Sequence, residues 1–335
     1  MKTFKETVPG IIFALALAVI ATLLGKLVPI IGGPVFGIVL GILISSLSKK
    51  PECTKKGLGF TSKKILQWSI IALGGGLSLT QVYNVGISSL YVMLFTLSAA
   101  FITAYGVGRL MGIPLKLTSL IGMGTAICGG SAIAAISPII EADDEDIAYS
   151  ISTVFIFNVI AVLVFPVLGH IIGFSDKAFG LWAGTAINDT SSVVAAGYAF
   201  SSAAGAYATI VKLTRTTMII PISLIFAAVV AIRKKKAADK SGEVNYSFKK
   251  IFPWFILWFL AASLLNTAGI INGQLAGVMT ETGKFFIVVA LSAIGLNSNL
   301  KQMLKTGLKP MLLGLIVWAS VTVVSLIVQF TSGWI

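Results

Sequence analysis

Along the chain, apolar runs of membrane-spanning length alternate with short polar segments from Gly10 onward. Eleven hydrophobic segments are read, at approximately 10–27, 30–47, 65–84, 87–108, 118–140, 147–169, 178–200, 206–232, 251–271, 284–299 and 310–331. The first follows Lys2 and Lys5 in the manner of a signal peptide. The residues after it (Leu27, Val28, Pro29, Ile30, Ile31) stay apolar and lead straight into the next run, which predicts a retained helix. The pattern predicts an all-α polytopic membrane protein with about eleven transmembrane helices, built as one domain over residues 1–335.

Composition removes the alternatives. The 335 residues are 56% hydrophobic and 11% charged, against about 25% charged in soluble domains. A water-facing shell cannot be built from so few polar groups. Cys53 and Cys128 are too few for a disulfide framework or a cysteine-rich metal site. The net charge of +13 does not form a basic stripe with interleaved aromatics, so no nucleic-acid partner is expected.

The basic residues sit between apolar runs, where they set orientation. With the N-terminus inside, the cytoplasmic side receives Lys2 and Lys5, the cluster from Lys49 to Lys64, Arg109, Lys116 and Lys177, the run from Arg233 to Lys250, and Lys301, Lys305 and Lys309. Only Lys26, Lys212, Arg215 and Lys284 of the 25 basic residues fall elsewhere. The acidic cluster Glu141, Asp143, Asp144, Glu145 and Asp146 is placed on the opposite side. Localisation is expected in a bacterial plasma membrane, N-terminus cytoplasmic and C-terminus outside.

Several runs make poor lipid-facing helices. One carries Gly74-Gly75-Gly76, another reads Gly124-Thr125-Ala126-Ile127-Cys128-Gly129-Gly130-Ser131, and a third reads Gly184-Thr185-Ala186-Ile187-Asn188-Asp189-Thr190-Ser191-Ser192. Glycine and small hydroxyl residues weaken a helix and free backbone groups that lipid cannot satisfy. Gly33, Gly37 and Gly41, spaced by four, read as close helix packing. The two longer motifs carry polar groups that packing does not need. They share Gly-Thr-Ala-Ile sixty positions apart, with Ser131 and Ser191 in the same register, and Gly76-Leu77-Ser78 is related to Gly295-Leu296-Asn297. Weak repeats with broken helices are the signature of secondary transporters. The approximate halves are 30–170 and 178–331, with helix 10–27 peripheral.

Enzyme motifs fail. His170 is the single histidine and reads as a helix-end residue; no nucleophile elbow, phosphate loop or dinucleotide fingerprint is present. The protein is therefore read as a non-enzyme, with no cofactor and no metal site. Charges inside apolar runs are costly and point to a cavity or a partner. Asp189 lies in the third broken motif, and Lys212 and Arg215 lie three apart in the next run, on one helical face. Two readings stay open for them: a salt bridge tying helices together, or a site where Asp189 exchanges a proton or cation while the two cations meet an anion. Glu281 and Lys284 read as interfacial, and Asn158, Asn297 and Asn299 as helix–helix hydrogen-bonding groups.

The runs from Gly124 to Ala135 and from Gly184 to Gly197, together with Val211-Lys212-Leu213-Thr214-Arg215, resemble the YeiH-type UPF0324 membrane proteins, a family that carries a sulfate-exporter label. The resemblance covers nearly the whole chain. It implies kinship with cation/proton antiporters and bile-acid-type transporters, and hence inverted repeats with crossed discontinuous helices. A family coupling scheme built on histidine does not transfer here, because Asn188 stands at that position; Asp189 becomes the coupling candidate.

The resulting expectation is a secondary active transporter, an exporter, of a small anion such as sulfate, sulfite or a sulfonate, coupled to protons or sodium. A passive anion channel is the alternative. Substrate binding is assigned to Thr125, Gly129, Gly130, Ser131, Asn188, Thr190, Ser191, Ser192, Lys212 and Arg215, and coupling-ion binding to Asp189. The expected partners are a small anionic substrate and the lipid bilayer, with a homodimer as an open option.

Overall fold

A computed structural model of the chain describes residues 2–28, 32–47, 51–236, 254–298 and 307–334, and every regular element among them is helical. In chain order these are α1 (Lys2–Leu27), α2 (Gly32–Leu47), α3 (Lys55–Phe60), α4 (Leu66–Gly74), α5 (Leu79–Leu110), α6 (Leu115–Ala126), α7 (Gly130–Ile136) and α8 (Asp144–Ile172). They continue as α9 (Asp176–Ala186), α10 (Thr190–Phe200), α11 (Ser202–Thr217), α12 (Ile219–Lys236), α13 (Phe255–Thr267), α14 (Gly273–Asn297) and α15 (Leu308–Thr331). A π-helical turn over Thr61–Ile65 joins α3 to α4. Asn299 and the basic residues Lys49, Lys50, Lys240, Lys249, Lys250, Lys301 and Lys305 lie outside the described residues.

Among the described residues, six helical stretches are long and apolar enough to cross a bilayer: Glu6–Leu27, Leu79–Leu110, Glu145–Ile172, Ser202–Val230, Gly273–Asn297 and Leu308–Thr331. Gly33–Leu47 and Phe255–Thr267 are shorter apolar helices. This is an all-α membrane protein.

The segments at 118–140 and 178–200 correct the expectation of eleven alternating spans. Neither is a single helix, and neither leaves at the end opposite its entry. The Lys116 ammonium, at the start of α6, donates to the carbonyl of Glu141, beyond α7, at 2.6 Å. A helix running straight between them would separate the two residues by about 35 Å. Gly124 of α6 faces the side chain of Ile133 in α7, so the arms lie side by side. In the second segment Ser201, just past α10, donates to Asp176 at the start of α9, at 2.5 Å. Phe179 and Phe200 stack there with ring centroids 4.0 Å apart. Both segments are helical hairpins.

The base of the first hairpin adjoins the start of α8. The base of the second adjoins its end, where His170 stacks on Phe200 at 4.2 Å. Because α8 has 29 residues, about 43 Å of helix, the hairpins enter from opposite ends of the molecule. The acidic cluster at 141–146 therefore shares an end with Lys116, and His170 and Lys177 move to the other. A charge count did not see this, because two segments that fail to cross restore the parity of everything downstream.

The remaining helices brace the hairpins. The stripe of Gly33, Gly37 and Gly41 lets α2 lie directly on α14: a Cβ at Gly41 would meet the Leu296 nitrogen at 2.7 Å, and one at Gly37 the Ser292 hydroxyl at 2.9 Å. The Gly74–Gly76 run ends α4 instead of breaking a span. Ser263 and Asn266 of α13 donate to the carbonyls of Gly74 and Gly75 at 3.0 and 2.8 Å, and Ser78 then caps α5. Around the second hairpin, Trp182 is buried among Phe165, Phe174 and Phe179.

Candidate functional site at the hairpin tips

Both hairpins turn over three residues, 127–129 and 187–189, at equivalent places in the repeated motif. In the first, Ile127 leaves helical geometry and Gly129 has φ +68°, ψ −131°, a conformation closed to side-chain-bearing residues at ordinary cost. In the second, Ile187 and Asp189 are extended, and Asp189 becomes the N-cap of α10. The tips touch: a Cβ at Gly129 would lie 3.4 Å from the Cβ of Asp189.

Each tip leaves the C-terminal carbonyls of its first arm without helical partners. Lys212 and Arg215, fully buried on one face of α11, supply them. The Lys212 ammonium donates to Ile127 O at 2.6 Å and to Ile187 O at 3.0 Å, so a single side chain ties the two tips together. The Arg215 guanidinium donates to Ala126 O at 2.6 Å, Thr125 O at 2.7 Å and Ile187 O at 3.3 Å. Hydrogen bonds from charged donors contribute about 1.5–3 kcal/mol each, and a cation at a helix C-terminus meets about half a negative charge. The two C-termini and nearby Asp189 therefore offset most of the positive charge of the pair. No ion pair joins either cation to Asp189 among the described residues.

Asp189 is engaged by its own helix. One carboxylate oxygen accepts the Ser191 N–H at 2.9 Å, the Ser192 N–H at 3.4 Å and the Ser191 hydroxyl. The amide oxygen of Asn158, from α8, accepts the backbone N–H groups of Asn188 and Asp189, both at 3.1 Å, and holds the tip in its extended form. The Asn188 side chain is fully buried, with neither amide atom hydrogen-bonded.

Asp189 borders a cleft of about 470 Å³. Gly130, Ser131, Thr190, Ser191 and Asn158 line it with Asp189, as do Ser62, Lys63 and Gln67 from the π-helical turn and α4, among apolar side chains such as Phe155, Phe255 and Ile294. Beyond the tips, Ile127, Cys128 and Ile187 are buried. Of the residues expected at the site, Gly130, Ser131, Asp189, Thr190 and Ser191 border the cleft. Gly129 abuts Asp189 from behind, and Ser192 contributes its N–H. Thr125, Asn188, Lys212 and Arg215 lie at the tips but not on the cleft wall. Sequence reasoning missed Ser62, Lys63 and Gln67: it placed Ser62 and Lys63 in a polar connection and Gln67 in an apolar run, whereas α3, the π-helical turn and α4 run continuously through them. The π-helical turn left no compositional signal.

The fold and the paired tips define a polytopic all-α membrane protein with two helical hairpins that meet at their tips. The chain belongs to the UPF0324 membrane protein family: the family profile described as "Conserved hypothetical protein 698" matches residues 9–314. It is 48% identical to a UPF0324 membrane protein of Clostridium tetani and 46% identical to one of Streptococcus pyogenes serotype M6, in each case over 99% of both chains. A UPF0324 membrane protein of Fusobacterium nucleatum is 45% identical over 97% of this chain and 98% of its own.

Proposed function

We propose that the protein is a secondary active transporter, an exporter, of a small oxyanion such as sulfate, sulfite or a sulfonate, and not an enzyme. One observation carries the reading: two hairpins entering from opposite ends meet at Gly129 and Asp189, and a cleft lined by Ser131, Asn158, Asp189, Thr190 and Ser191 among apolar side chains reaches that meeting point. Broken helices meeting inside the membrane are how transporters build an occludable site. The opposed hairpins fit inverted repeats with halves 30–170 and 178–331. They meet tip to tip, in place of the crossed helices implied by the resemblance. On this reading the basic segments and the acidic cluster at 141–146 face the cytoplasm of a bacterial plasma membrane, and the cleft opens inward. The N-terminus is cytoplasmic and the C-terminus outside.

The binding chemistry differs from a simple cationic pocket. Lys212 and Arg215 are committed to carbonyls, so the cargo anion is met by the N-terminus of α10, by Ser131, Thr190 and Ser191, and by Lys63 at the mouth. The Asp189 carboxylate already occupies the Ser191 and Ser192 N–H groups, as a cargo oxyanion would. A coupling ion, proton or sodium, that neutralises the Asp189 carboxylate loosens that cap, so anion and ion bind together, with the net direction of transport set by their gradients. In proteoliposomes, internal sulfate or sulfite should accelerate uptake of the labelled anion. Flux that is indifferent to anion on the far side indicates the alternative, a passive channel.

A further inference from the structure

The arrangement around Lys212 resembles a cation site with the cation covalently attached. Small monovalent cations inside proteins are held by converging carbonyl oxygens, best of all those of helix C-termini that carry partial negative charge. Here the C-termini of α6 and α9 converge from opposite ends of the molecule, and the groups they present between them are the carbonyls of Ile127 and Ile187. The Lys212 ammonium sits between these at 2.6 and 3.0 Å, fully buried. The Asn188 side chain, directly after Ile187, is buried but its amide is not hydrogen-bonded to the ammonium. Arg215 does not duplicate this role. Its guanidinium saturates Thr125 and Ala126, one turn earlier on α6, and reaches Ile187 only at 3.3 Å.

We propose that the Lys212 ammonium is a resident cation in a monovalent-cation cage formed by both hairpin tips. The cage is therefore closed to sodium in the native protein. Resting on the transport reading above, this leaves the proton, through Asp189, as the ion that accompanies the anion. Two tips held by one tethered charge also keep their register without taking an ion from solution. A sodium-coupled protein with the same tips would need a neutral residue at position 212.

The test uses the full-length protein in detergent, with thermal stability read in sodium chloride and in choline chloride at equal ionic strength. Choline is too large for the cage. The native protein should melt at the same temperature in both salts. Lys212→Ala removes the tethered cation and leaves space; it should melt lower in choline, by a shift on the order of 5 °C. Sodium, potassium or methylammonium should restore it selectively and saturably. Lys212→Met fills the same space with an apolar chain and should be destabilised without cation rescue. Native protein stabilised by sodium over choline would overturn the proposal. So would a Lys212→Ala protein that no small cation restores, including one that cannot be purified folded in any of them. None of these readouts requires transport. A sodium-indifferent native protein with a cation-rescued variant, but no counterflow, keeps the cage and removes the transport reading instead.

Discussion

The two hairpin tips share a motif, a spacing and a three-residue turn, yet they are built on different principles. The first, Cys128-Gly129-Gly130-Ser131, turns by backbone permissiveness: Gly129 takes a positive φ, no side chain caps α7, and Ser131 stands exposed in the cleft. The second, Asn188-Asp189-Thr190-Ser191, turns by side-chain chemistry: Asp189 caps α10, Asn158 braces the extended backbone, and Ser191 is buried against the carboxylate. One tip turns on glycine and the other on a capping carboxylate. Repetition gave the molecule two equivalent turns, and three exchanges at matching positions, Cys128 for Asn188, Gly129 for Asp189 and Gly130 for Thr190, separate a glycine turn from a side-chain-capped one.

That contrast can be broken at the element both tips share. Arg215→Leu strands the carbonyls of Thr125 and Ala126 and weakens the hold on Ile187, so it should cost several kcal/mol, about 1–3 for each buried group left unpaired. The expected result is poor recovery of folded protein in size-exclusion chromatography, whatever anion is present. Gly129→Ala should cost about 1–3 kcal/mol from backbone strain, seen as a lowered melting temperature; an unaffected protein would mean that the first turn does not depend on glycine.

Asp189→Ala removes a helix cap worth about 1 kcal/mol, whereas Asp189→Asn keeps it, since asparagine caps nearly as well. Asp189→Asn should therefore melt close to native while losing the pH dependence of anion binding in isothermal titration. Anion binding that varies with pH in Asp189→Asn as it does in the native protein places the coupling group elsewhere. The smallest effect belongs to Ser131→Ala. It should leave stability within about 0.5 kcal/mol of native and lower anion affinity only, while Ser191→Ala lowers both.

Much of this was legible in the chain. Apolar runs of membrane-spanning length pointed to the all-α membrane class, and glycine with small polar residues at 124–131 and 184–192 marked both interruptions. Charge inside apolar sequence singled out Asp189, Lys212 and Arg215 before any geometry. The direction of each return was not legible, because a broken span and a re-entrant hairpin have the same composition and differ only in where the second arm packs. Ile133 beside Gly124 and Phe200 on Phe179 decide that, and both are tertiary contacts. The partners of Lys212 and Arg215 were hidden for a similar reason. Counting side-chain charges omits the carbonyls of Thr125, Ala126, Ile127 and Ile187, whose partial charges exist only because two helices stop there.

The claim on which the whole account stands is that each interrupted segment returns to the face it entered, and sidedness of labelling tests it directly. In a background with Cys53 and Cys128 replaced by serine, single cysteines at Lys116, Asp143 and Lys177 would be probed with a membrane-impermeant maleimide in intact cells and in inverted vesicles. The account predicts that cysteines at Lys116 and Asp143 react from the same face, and that the one at Lys177 reacts from the other. Reaction of the Lys116 and Asp143 positions from opposite faces would show that residues 118–140 cross the membrane, and would contradict the hairpin architecture.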